Sequence, residues 1–115
     1  MEDNVVYTLS KQFALRIVKL YPILTERKEY IISKQLYRSG TSIGANLAES
    51  KFAQSDADYL NKLKIALKEA SESKYWIELL TESNFLDEKE SASLINDINI
   101  IIGTLVKIIN KILKR

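Results

Sequence analysis

Apolar residues recur every third or fourth position along almost the whole chain, which is the period of an α-helix. Val6, Leu9, Phe13, Ile17 and Leu20 make the first stripe. Ile32, Leu36, Ile43 and Leu47 make a second. Tyr59, Leu63, Ala66, Leu67, Ala70 and Ile77 make a third. The fourth is broader: Leu94, Ile98, Ile101, Ile102, Leu105, Ile108, Ile109 and Ile112. Between the stripes stand stop and start signals. Pro22 is expected to end or kink the first helix, and Asn84 to stop the third. Ser55 with Asp58, and Asp87 with Glu90, have the spacing of capping boxes. The pattern predicts one domain over residues 1–115, with helices near 4–21, 27–51, 56–83 and 88–114. The connections are short, so neighbouring helices should run antiparallel. The expected fold is all-α, an up-down four-helix bundle.

Several helices carry apolar residues beyond one core stripe. Ile65, Trp76 and Leu79 lie roughly opposite the main stripe of the third helix, with Glu72 among them. Tyr7, Ala14, Val18 and Tyr21 flank that of the first. Two readings follow: a thick core with a few exposed aromatics, or a subunit interface with Trp76 as its anchor.

The stretch QLYRSGTSIGANLAES, residues 35–50, holds two of the three glycines. On a helical wheel it separates into three faces. One is the core stripe. Lys34, Gln35, Arg38, Ser42, Asn46 and Glu49 share a polar face. Tyr30, Tyr37, Thr41, Gly44 and Ala48 form an aromatic and then small face. Gly40 and Gly44 each cost about 1 kcal/mol relative to alanine inside a helix. The expected return is close approach of a neighbouring backbone or ring, and Tyr37, Gly44, Ala48, Ile65, Trp76 and Leu79 are the expected subunit contacts. A phosphate loop is not supported: GTSIGAN lacks the Gly-Lys-Ser/Thr ending and follows no strand. Gln35, Arg38, Ser42, Asn46 and Glu49 are either a solvated face or a polar network. In a network Arg38 is held by Glu49 or a neighbouring subunit, or is open to a phosphate.

Composition narrows the chemistry further. Hydrophobic residues are 46% and charged residues 28%, ordinary for a soluble domain. There is no cysteine and no histidine. Disulfides, thiol nucleophiles, thiolate metal sites and imidazole proton transfer are therefore excluded. The acidic pairs Glu69/Glu72 and Glu78/Glu82 have the spacing seen in di-iron bundles, but no Glu-x-x-His partner exists. Ser71 to Lys74 matches Ser-x-x-Lys without its companion motifs. No enzyme, metal or cofactor is expected. The N-terminal MEDNVVYTLSKQ is not a signal-peptide pattern. No apolar run approaches the ~20 residues of a membrane span, so a soluble, cytoplasmic protein is expected. The net charge is only +2, but Lys107, Lys111, Lys114 and Arg115 cluster at the C-terminus without an acid. They complement the helix dipole, or form a basic rim for nucleic acid.

The block Gln35-x-x-Arg38-Ser39-Gly40-x-Ser42-Ile43-x-x-Asn46-x-x-Glu49 resembles a signature of bacterial four-helix-bundle proteins. That family is named for the intervening sequences of 23S rRNA genes. Ala66-Leu67-Lys68-Glu69-Ala70-x-Glu72 followed by Tyr75-Trp76 resembles its third helix. The resemblance implies a ring-shaped homopentamer around a channel and no catalysis. It also implies kinship with nucleic-acid-binding accessory proteins of diversity-generating retroelements. On this basis the chain is expected to bind RNA or DNA, with Lys34, Arg38, Lys107, Lys111, Lys114 and Arg115 as contacts. The alternative is a protein-interaction scaffold that docks a partner protein without nucleic acid.

Overall fold

The computed structural model describes residues 2–115, all helix and turn. The helices are α1 (Glu2–Glu26), α2 (Ile32–Ser50), α3 (Asp56–Glu82) and α4 (Glu88–Leu113). Side-chain pairs fix their directions. Arg27 near the end of α1 reaches Glu90 at the start of α4, and Ser39 in early α2 meets Ser73 in late α3. Glu49 at the end of α2 meets Lys62 at the start of α3. Consecutive helices are therefore antiparallel. α1 packs on α2 and α4, α3 packs on α2 and α4, and the diagonal helices keep their Cα atoms more than 8 Å apart. The body is elongated, 46 × 21 × 18 Å. The four stripes meet at its centre. Phe13, Ile17, Leu36, Ile43, Leu63, Ile77, Ile98, Ile101 and Leu105 are each 1% exposed or less.

Two boundaries differ from the sequence pattern. α1 passes through Pro22 and ends only at Glu26. Pro22 lies on the exposed side, where water can serve the carbonyl one turn back that loses its donor. The stop comes from Lys28, whose φ of 66° is left-handed. Glu29 N–H donates to Leu24 O at 2.9 Å and Lys28 N–H to Thr25 O at 3.0 Å, the paired bonds of a Schellman cap. α3 ends identically around Asn84, φ 68°, with Phe85 N–H on Leu80 O and Asn84 N–H on Thr81 O.

α2 then starts at Ile32 rather than residue 27, because residues 27–31 are used by that cap. No Ser, Thr, Asp or Asn precedes the helix. Instead Glu29, 7% exposed, turns its carboxylate onto the backbone N–H groups of Ser33 and Ile31, at 2.5 and 3.3 Å. Ser33 Oγ donates back to Glu29 O. A carboxylate at a helix N-terminus also complements the dipole. α3 and α4 are capped by Ser55 and Asp87, and at Asp87 both bonds of the capping box are present.

The apolar content of α4 also needs a correction. By length and composition α4 could cross a membrane, an 18-residue window within Glu88–Leu113 having a mean hydropathy of 1.6. Only 33% of that window is buried within the subunit. Ile100, Val106 and Leu113 are exposed and Ile95, Ile102 and Ile112 half-buried.

The two central glycines of α2 face α1 of the same chain. A Cβ at Gly40 would meet Ile17 Cγ1 at 3.0 Å. A Cβ at Gly44 would meet the backbone of Ser10 and Lys11 at 3.8 Å, an ordinary contact. The two sites should therefore respond oppositely to alanine. Gly40→Ala forces Ile17 to shift in a packed core and should lower stability. Gly44→Ala fits, and should raise it by up to about 1 kcal/mol through helix propensity. Thermal or urea unfolding of the two variants checks this.

Candidate functional site: the polar seam and the basic end

α2 and α3 meet along a seam whose interior is polar. Ser39 and Ser73, both 0% exposed, are hydrogen-bonded at 2.8 Å across it. One turn outward Arg38 spans two carboxylates of α3. Its Nη1 donates to Glu69 Oε2 at 2.9 Å and its Nη2 to Glu72 Oε2. The Glu69 side chain is 9% exposed and that of Arg38 48%. Glu72 also accepts from the Trp76 indole N–H at 2.9 Å. The acidic pair at i, i+3 on α3 is thus taken up by one guanidinium and one indole. Burial opposes the charge of Arg38, but its bonds to Glu72 and Glu69 raise its pKa further.

Residues of the QLYRSGTSIGANLAES stretch take up different tasks. Ser42 Oγ donates to Arg38 O, and Asn46 Nδ2 to Ser42 O, both one turn back along α2. Glu49 pairs with Lys62 at 3.0 Å, so it does not hold Arg38. Gln35 is exposed on the same side. The polar face is therefore an intrachain seam, half solvated and half paired. Arg38 belongs to α3 of its own subunit.

The aromatic and small face of α2 lies towards α1. Tyr37, 40% exposed, packs edge-on against Tyr21 with centroids 5.2 Å apart. Gly44 is buried against Ser10 and Lys11 within the chain, so its bare surface is already covered without a second subunit. Ala48, Ile65, Trp76 and Leu79 are half-buried, and Trp76 packs on the core's edge.

The basic residues expected to act together do not converge. Lys34 is exposed in the first turn of α2, beside the start of α4. Lys107, Lys111, Lys114 and Arg115 lie at the other end of α4, exposed. Antiparallel packing puts the two groups at opposite ends of the 46 Å body. The end with the C-terminal cations also holds Lys51, whose Nζ sits 4.0 Å over the Tyr7 ring. There Tyr59 donates its hydroxyl to Asp3, and burial, then that bond, pushes its pKa up to about 12 despite the nearby Arg115 charge. Phe52, in the α2–α3 turn at this end, is 86% exposed. Pattern reading missed it because a lone aromatic in a turn has no period to betray it.

The fold and most of the sequence match known proteins. The profile of the 23S rRNA-intervening sequence protein matches residues 2–107. The chain belongs to this family. A relative of known structure carries the description of a protein with unknown function from the S23 ribosomal protein family, from Bacteroides thetaiotaomicron VPI-5482. It is 51% identical, with 96% of this chain and 99% of that one covered, and a TM-score of 0.93. No curated protein matches the chain. In this member of the family, Arg38, Ser39 and Gly40 of the signature face neighbouring helices of the same bundle. Arg38 and Ser39 meet α3, and Gly40 meets α1.

The ion pairs predict an acid limit. Glu72 is held below the usual carboxylate range chiefly by the Trp76 N–H, with burial opposing and Arg38 assisting. Glu90 is held low by Arg27 and then by the backbone N–H of Asp87. Each binds a proton less readily folded than unfolded. Their stabilisation is complete above the ordinary carboxylate pKa of about 4.3 and is lost as pH falls through the lower folded values. The unfolding midpoint should hold steady from neutrality to about pH 5 and drop below about pH 4. A Glu72→Gln variant should show a shallower acid limb in the same titration.

Proposed function

We propose that this family member is a non-enzymatic, cytoplasmic bundle that assembles into a homopentameric ring and binds nucleic acid as an accessory protein. The observation that carries the reading is α4. Besides its core stripe, α4 carries a second apolar line, Ile95, Ile102, Val106 and Leu113, which its own subunit leaves half-buried or exposed. Contiguous apolar surface of this kind marks an interface. The seam between α1 and α4 adds to it, opening into a cleft of about 240 Å³ walled by Leu20, Ile23 and Leu94, with Arg16, Lys19 and Glu90 around them.

The nucleic-acid part rests on what assembly does to charge. The last nine residues, KIINKILKR, carry four cations and no acid. Five copies of a +2 chain give +10, enough to raise the local concentration of a polyanion where +2 is not. The name of the matched family refers to sequences within ribosomal RNA genes, and that of the solved relative to a ribosomal protein family. Of the six basic residues expected to make contacts, Arg38 is paired with Glu69 and Glu72 and Lys34 stands at the other end, while the remaining four are grouped at the end of α4. A protein-docking scaffold is the second reading. It is favoured by the separation of Lys34 from the C-terminal four, which lie at opposite ends of the bundle.

Two measurements test this. Light scattering of nuclease-treated protein should give about 66 kDa, five times 13.2 kDa. A 13.2 kDa species removes the ring. Binding to RNA or DNA should weaken steeply with salt, because each phosphate contact releases counterions. No binding at low salt, together with a protein partner that survives nuclease, selects the scaffold.

A further inference from the structure

We propose that the end of the bundle formed by the α2–α3 turn and the C-terminus of α4 binds single-stranded nucleic acid, stacking an unpaired base on Phe52. The inference rests on the nucleic-acid reading above and adds what that reading leaves open, the form of the strand and the residue that holds it. Phe52 is the most exposed large apolar residue among those described, at 86%. It is displayed on fixed backbone: Phe52 N–H donates to Glu49 O at 3.0 Å and Ala53 N–H to Ser50 O at 3.2 Å. A ring held out in this way gains nothing from its own fold. It offers a flat apolar face of the kind on which nucleobases stack.

Its surroundings suit the rest of a nucleotide. Lys51 precedes it and lines a cavity of about 300 Å³ together with Asp3, Asn4, Ser50, Tyr59, Leu47 and Leu63. That volume is at the small end of the ~300–1,000 Å³ typical of small-ligand sites. Arg115 lies close enough to act on Tyr59, which brings the basic end of α4 to the same place. The acids there are mostly engaged. Asp3 accepts from Tyr59, Asp58 from the backbone N–H of Gln54, and Glu49 pairs with Lys62, while Asp56 also stands at this end. With both signs of charge present, stacking supplies selectivity that a bare cation cluster cannot. A duplex hides its base faces, whereas a single strand presents them. The opposite end does not compete. Its most exposed apolar residue, Ile31, is aliphatic, and its aromatic neighbour Tyr30 is less exposed than Phe52, at 55%.

The test is fluorescence anisotropy of the full chain with a labelled unstructured RNA oligonucleotide and with a duplex of equal length. Wild type, Phe52→Ala, Phe52→Leu and Phe52→Trp are compared, with the unfolding midpoint and assembled mass of each recorded. The single strand should bind on the order of tenfold tighter than the duplex. Phe52→Ala and Phe52→Leu should each weaken it by a similar factor, Phe52→Trp should retain it, and midpoint and mass should not move. If strand and duplex bind alike and Phe52→Ala matches wild type, the stacking proposal is overturned while the nucleic-acid reading survives. If neither these RNAs nor DNA of the same sequence binds wild type, both fall.

Discussion

The placement of α2 depends on a charge that has no stable position except where it is. Glu69 of α3 presents a carboxylate 9% exposed at the seam with α2. A carboxylate placed there is stabilised by a partner of opposite charge in good geometry. Arg38 supplies the partner and, by spanning Glu72 as well, ties two successive turns of α3 to one position of α2. The buried Ser39–Ser73 bond lies beside it. Sliding α2 by a turn would break both and strand polar groups in the core. On the opposite side Gly40 leaves room for Ile17 and no more. α2 is thus fixed from both flanks, and the other helices close around it.

This changes the meaning of the most distinctive stretch of the chain. A block rich in glycine, serine and asparagine invites a search for ligand chemistry. Its helix-weakening residues are explained by contacts on either side: serine where a hydroxyl must be buried, glycine where α1 comes close, arginine where α3 carries acids. The surface left over is what the subunit offers to others. It is apolar along α4 and basic at the C-terminus, with an aromatic ring held out beside it.

Periodicity revealed what depends on neighbours along the chain. The apolar stripes named the core closely, from Val6 and Phe13 to Ile98 and Leu105, and the caps at Ser55, Asn84 and Asp87 are local patterns. Where the pattern misled, distance or context was the cause. Pro22 is tolerated because it faces outward, which depends on where the bundle lies. The start of α2 is set by Glu29, a residue outside the usual capping set. Arg38 was recognisable as unusual, yet its partners are 31 and 34 residues away. An acid pair at i, i+3 facing an arginine on the preceding antiparallel helix was the available signal. Gly44 was read as room for another subunit, and the fold fills that room with α1.

The central claim, that the signature block of α2 is an intrachain clamp, is tested most directly by a double-mutant cycle. Unfolding free energies of wild type, Arg38→Ala, Glu69→Gln and the double variant give the coupling between the two side chains. The clamp predicts a coupling of roughly 1–2 kcal/mol, with Arg38→Ala alone the most costly change because it leaves Glu69 unpaired. A coupling near zero, with Arg38→Ala as stable as wild type, would contradict it and return Arg38 to the surface as a residue kept for an external ligand.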